Sequence, residues 1–146
     1  MPFKDFATYR EIHSETEAWA ETLEAVSASD PPAMGDDDQV LFTGCGSTEY
    51  LSLAAAALYQ DLTRCPARAV PGGELSLNPR TVLVDQKTLL VAVGRSGATT
   101  ETIKAVELFK AEQRGDVVVI SNYDQALSRL ADVNLVVPKG QEETVA

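Results

Sequence analysis

Short apolar runs alternate with longer stretches of helical periodicity along this chain. The runs are Val40–Thr43, Ala67–Val70, Leu89–Val93, Val117–Ile120 and Val133–Val137, the last stopped by Pro138. Between them lie an Ala/Leu-rich stretch from about Thr48 to Thr63 and an amphipathic one over Glu101–Gln113, with Ile103, Val106, Leu108 and Phe109 apolar. A shorter helix is expected over Gln125–Ala131, and Gly72–Pro79, with breakers at both ends, has room for one helical turn. The opening segment from Thr8 to Val26 sets Ile12, Trp19, Leu23 and Val26 at roughly helical spacing among acids, which predicts an amphipathic leader helix packed on the body. Ser27–Gln39, rich in Pro, Gly and Asp, reads as a loop.

Five apolar strands alternating with helices predict an α/β fold, a parallel sheet covered on both faces. Right-handed crossovers favour a doubly wound sheet of order 2-1-3-4-5, flanked by helices and preceded by the leader helix. At 146 residues the chain has the size of one compact domain.

Composition narrows the function classes. Twelve Lys and Arg are scattered among twenty-two Asp and Glu, a net charge of −10 that argues against a nucleic-acid partner. No run approaches the roughly 20 apolar residues of a membrane span, so no membrane partner is expected. The N-terminal stretch carries charges throughout and lacks the apolar core of a signal peptide, which makes a cytoplasmic location the expectation. Cys45 and Cys65 form no CxxC pair, so neither zinc nor a redox pair is suggested, and no metal or cofactor is expected. Asp36–Asp38 reads as a solvated charge run rather than a cation site.

Two loops carry the candidate chemistry. Gly44-Cys45-Gly46-Ser47-Thr48-Glu49 follows the first predicted strand and Gly94-Arg95-Ser96-Gly97-Ala98-Thr99-Thr100-Glu101 the third. In a sheet of this order the winding reverses between those strands, and ligands bind in the crevice beyond their C-terminal ends. Glycine permits close backbone approach, a helix N-terminus offers unpaired N–H donors, and Ser47, Thr48, Ser96 and Thr99 add hydroxyls. Arg95 can supply one full charge to an anion. Taken singly, each loop is more often just a turn followed by an N-cap; their pairing at the switch point favours phosphate binding. Neither loop is a Walker P-loop, and the first is not GxGxxG.

The stretch Gly94–Thr102 resembles the pattern of the SIS (sugar isomerase) domain family, commonly Ser-Arg/Gln-Ser-Gly-Glu-Thr-x-Glu/Asp-Thr. Cys45-Gly46-Ser47-Thr48 is similar to that family's Cys-Gly-Thr-Ser loop. Ser121-Asn122 with Ala126-Leu127-Ser128 and Ala131-Asp132, and Gly140-Gln141-Glu142 with Val145-Ala146, resemble two further family segments. The stretch from Arg10 to Trp19 is similar to the leader helix of glucosamine-6-phosphate synthase isomerase domains and of sugar-phosphate ketose/aldose isomerases.

The resemblance implies residues 1–39 as leader helix and loop, and 40–146 as a phosphosugar-binding module. It implies phosphate contacts at Ser47, Thr48, Arg95, Ser96 and Thr99, within loops completed by Cys45, Gly46 and Gly97, and backbone near Val145 beside the sugar. Gly94 stands where many members have Ser, and Ala98 replaces a frequent Glu. The family's enzymes usually pair two SIS modules, with acid/base residues in the second. The chain is therefore expected to be the first module of a tandem pair or a single-domain member, with a second SIS domain or a second copy as partner.

No residue is assigned as a catalytic base. His13 is read as a surface histidine, Glu74 as an exposed loop carboxylate, and Glu49 and Glu101 as first-turn acids that complement helix dipoles. Three functions remain open: the substrate-binding part of a phosphosugar isomerase or an amino-sugar synthase or deaminase, a non-catalytic phosphosugar sensor, and a nucleotide or flavin binder.

Overall fold

The computed structural model describes residues 5–30, 32 and 38–142. All five expected strands form: β1 (Gln39–Gly44), β2 (Ala67–Pro71), β3 (Thr88–Gly94), β4 (Val117–Ser121) and β5 (Val133–Val136). They pair in parallel in the order β2-β1-β3-β4-β5. The predicted winding is correct. The helices are α1 (Ala7–Ala28), α2 (Ser47–Thr63), α3 (Gly72–Leu77), α4 (Pro79–Val82) and α5 (Thr100–Ala111).

Alternation along β1 divides the core between the two faces of the sheet. Leu41 joins Leu75, Leu90, Val106, Phe109 and Val119 in the cluster beneath α3 and α5. Val40 and Phe42 join Ala56, Val91, Val93 and Val118 in the cluster beneath α2. Central strands buried on both faces explain why β1 and β3 read as continuous apolar runs. The Tyr59 ring meets Phe42 edge-on at 6.0 Å between centroids, and burial pushes the Tyr59 phenol pKa up.

Three expectations need correction. The leader helix forms, but its apolar stripe does not pack on the body. No residue of α1 is buried, and Ile12, Trp19, Leu23 and Val26 are 59%, 63%, 69% and 50% exposed. The acidic side makes the attachment instead. Glu17 pairs with Lys139 Nζ at 2.8 Å, and Glu21 accepts the Lys139 backbone N–H at 2.8 Å. The hydrogen bond between them, aided by their opposite charges, lowers the Glu17 pKa and raises that of Lys139.

The helix expected over Gln125–Ala131 shrinks to a 3-10 turn, Ser128–Leu130. Leu127 is drawn into the core, and its N–H goes to the Gly97 carbonyl (2.9 Å) rather than to an i−4 partner. The Tyr123 carbonyl that would have served accepts the Ser121 and Ser128 hydroxyls. Of the acidic run, Asp36 and Asp37 lie outside the described residues, as does most of the loop before β1. Asp38 is buried rather than solvated, with Lys87 Nζ 3.9 Å away.

Candidate functional site

The site begins where β1 and β3 end. These neighbouring strands deliver Gly44 and Gly94 to the same C-terminal end of the sheet, and after each the chain turns into a helix. Gly44 has no room for a Cβ, which would sit 2.7 Å from Thr48 Oγ1. Gly97 has φ +66°, and a Cβ there would lie 2.9 Å from the Tyr123 carbonyl. Both loops therefore depend on glycine to hold the N-termini of α2 and α5 close together.

Between them lies a cleft of about 210 Å³ lined by Cys45, Ser47, Thr48, Arg95, Ser96 and Thr99. Six of the nine residues singled out from the sequence thus share one surface. Gly46, at φ +63°, and Gly97, at φ +66°, turn the two loops without lining the cleft, and Val145 lies outside the described residues.

The side chains in the cleft differ in how far they are already committed. Thr48 Oγ1 accepts the Cys45 N–H and donates to the Cys45 carbonyl, each at 3.0 Å, so its proton is used within the loop. Ser96 Oγ accepts the Ala98 N–H at 3.2 Å and keeps its own proton to donate. Thr99 occupies the N-cap of α5 without making a side-chain cap bond. Among the described residues Ser47 likewise makes no side-chain hydrogen bond. The capping explanation thus fails for Thr99, whose hydroxyl is available to a ligand together with those of Ser47 and Ser96.

Arg95 is not a free cation. Its Nη1 donates to Glu142 Oε2 at 2.7 Å, and both side chains are about half-exposed. Glu142 is held in turn by Tyr123, whose Oη accepts the Glu142 N–H (3.1 Å) and donates to the Glu142 carbonyl (3.0 Å). Neither Glu142 nor Tyr123 was singled out by sequence reasoning for a role at this site. The signal available was the Gly140-Gln141-Glu142 segment, whose carboxylate returns to the loop through the tertiary path alone.

The residues weighed as acids or bases lie elsewhere. His13 is exposed on α1 and lies against Tyr9, with ring centroids 4.2 Å apart and the rings tilted by 48°. Glu74 and Glu101 are exposed in the first turns of α3 and α5, and neither lines the cleft. A larger hollow of about 470 Å³ opens between α1 and residues 139–142. Three carboxylates, Glu11, Glu15 and Glu142, line it against one cation, Lys139, which makes it a poor seat for an anion. Among the described residues no group of three or more His, Cys, Asp or Glu side chains could hold a metal ion, and no helix is long and apolar enough to cross a membrane.

Comparison with known proteins agrees with this fold. A family model described as "SIS domain" matches residues 34–146. Glutamine–fructose-6-phosphate aminotransferase (isomerizing) of Helicobacter pylori is 28% identical over 94% of the chain, and that of Corynebacterium efficiens is 30% identical over 94%. The chain spans 23% of the length of each. Among solved structures, the C-terminal domain of the Francisella tularensis glucosamine-fructose-6-phosphate aminotransferase superposes with a TM-score of 0.78 at 22% identity, covering 94% of this chain and 40% of that one. Glucosamine-6-phosphate deaminase of Thermotoga maritima superposes with a TM-score of 0.69 at 23% identity, covering 93% and 42%. At these identities the superpositions speak for the fold.

Proposed function

Because this chain belongs to the SIS domain family, we propose that its cleft binds the phosphate of a sugar ester, a hexose or amino-sugar 6-phosphate. The module then serves as the substrate-binding part of a phosphosugar isomerase or of an amino-sugar synthase or deaminase. One observation carries the reading. The hydroxyls of Ser47, Ser96 and Thr99 and the N-termini of α2 and α5 meet around a single small cleft, while the protein as a whole is strongly acidic. Local dipoles and hydroxyl donors can hold a dianion there without a basic surface.

On this reading no catalytic base is assigned to the cleft: among the described residues the only ionisable side chains lining it are Cys45 and Arg95, and the sole histidine sits on α1. The same observation supports a second reading, a phosphosugar sensor without catalysis. We further read the exposed apolar side chains on α1 and α2, among them Trp19, Leu23, Leu58 and Leu62, as the surface that meets a second SIS module or a second copy. The unpaired cysteines Cys45 and Cys65 accord with a reducing, cytoplasmic setting.

The test is thermal unfolding with glucose 6-phosphate, fructose 6-phosphate and the free hexoses. A ligand at about 100 times its Kd stabilises by roughly 2.7 kcal/mol. The phosphorylated sugars are expected to raise the Tm and the free sugars to leave it nearly unchanged. Equal shifts from both would remove the phosphate assignment.

A further inference from the structure

We propose that Glu142 is a positioning residue for the phosphate cleft, holding the Arg95 guanidinium against the cleft wall by one of its nitrogens and leaving the others for the ligand. The proposal rests on the phosphosugar reading above.

Arg95 is long, about half-exposed and attached to a loop, so an unsupported guanidinium would sample many rotamers and lose that freedom when a ligand bound. The 2.7 Å contact to Glu142 restrains it beforehand. Only Nη1 is engaged; Nη2 and Nε have no protein partner among the described residues. Arg95 still lines the cleft while paired, whereas Glu142 lines the neighbouring hollow beside α1. The carboxylate therefore holds the cation from the far side of the cleft wall.

Both ends of the pair hang from one short segment. The Arg95 carbonyl accepts the Asn122 N–H at 3.1 Å, and Tyr123 Oη clamps the Glu142 backbone on both sides. Gln141 Nε2 adds a bond to the Asn122 carbonyl at 2.8 Å. Asn122 and Tyr123 thus fix the separation of cation and carboxylate without reference to the rest of the surface. Glu142 also carries a negative charge that repels a bound dianion. Its net effect is favourable only through Arg95, and this makes its role separable from a general structural one.

The experiment is a double-mutant cycle read by calorimetric titration with glucose 6-phosphate and with inorganic phosphate. Arg95→Ala is expected to weaken both about tenfold, the loss of one charge-assisted bond. Glu142→Ala should weaken them by about threefold to tenfold, and Glu142→Gln, which keeps an acceptor for Nη1, should restore most of that affinity. In the Arg95→Ala background, Glu142→Ala should leave affinity unchanged or raise it, because only the repulsion remains to be removed. Tyr123→Phe, which releases the Glu142 backbone with no change of charge, should weaken binding in the Arg95 background only. Tighter or unaltered binding by Glu142→Ala in the otherwise native protein, or an equal loss in both backgrounds, overturns the positioning role. No binding of either probe by the native protein would instead remove the phosphosugar reading, and this inference with it.

Discussion

The hydroxyl of Thr48 closes a ring on Cys45, accepting its N–H and donating to its carbonyl, both at 3.0 Å. The bonds are internal to the loop, so Thr48 shapes the cleft rather than offering its proton to a ligand. Thr48→Val should destabilise the protein by about 1–2 kcal/mol, since two half-buried backbone groups lose their partner. Thr99 presents the opposite case, an N-cap whose side chain makes no cap bond. Thr99→Ala should leave urea denaturation almost unaltered while weakening sugar-phosphate binding by about 1.5 kcal/mol or more. Denaturation and titration of the two variants side by side check the contrast. A Thr99→Ala protein that loses stability but binds normally would restore the capping explanation.

Gly97 carries the second loop through a left-handed conformation beneath the Tyr123 carbonyl. An alanine there meets both unfavourable backbone geometry and a contact that only backbone movement can relieve. Gly97→Ala is expected to cost about 1–3 kcal/mol and to lower affinity at the same time, because the Gly97 carbonyl also anchors Leu127. Stability and binding measured on one preparation should fall together.

Asp132 ties β5 to β4 and gives stability a defined pH dependence. Partial burial works to raise its pKa, but the Lys110 ammonium at 2.7 Å and the Val117 N–H at 2.8 Å together hold it below the ordinary carboxylate value. With its folded pKa depressed, its contribution is present above the unfolded value near 3.9 and is lost as pH falls through the folded one. Asp132→Asn should therefore cost about 1 kcal/mol at neutral pH, and the gap should close below about pH 4. Urea midpoints of both proteins from pH 3 to 7 give the comparison.

Self-association has a built-in reporter. Trp19, the only tryptophan, is 63% exposed on α1, and Leu58 and Leu62 are 59% and 73% exposed on α2. Pairing through α1 should shift tryptophan emission to the blue as protein concentration rises, in step with mass by light scattering. Leu23→Glu should suppress both. A monomer at every concentration would leave the surface for a partner other than a second copy.

How much of this was legible beforehand follows from the range of the interactions involved. β1 and β3 are buried on both faces, so their apolar runs stand out without any knowledge of neighbours, and the strand order follows from the handedness of the crossovers. The cleft was legible because glycine and hydroxyl residues sit at the strand ends in the sequence itself. Helical spacing in α1 gave the helix but not its facing, since periodicity identifies a stripe and says nothing of what covers it. The pairing of Arg95 with Glu142, 47 residues away, depends on where β5 returns the chain, which no local pattern records.

The two walls of the cleft stand on β1 and β3, adjacent in the sheet but with α2, β2, α3 and α4 between them in the chain. Parallel pairing across such a span is the slow kind of contact in folding, made only after the entropy of closing a long loop has been met. No partly folded form that lacks this pairing possesses the cleft. An anion bound there would act as a cross-link between distant parts of the chain and resist global opening rather than local fraying. Amide exchange along β1 and β3, even at residues well back from the cleft, is where its presence should slow the chain most.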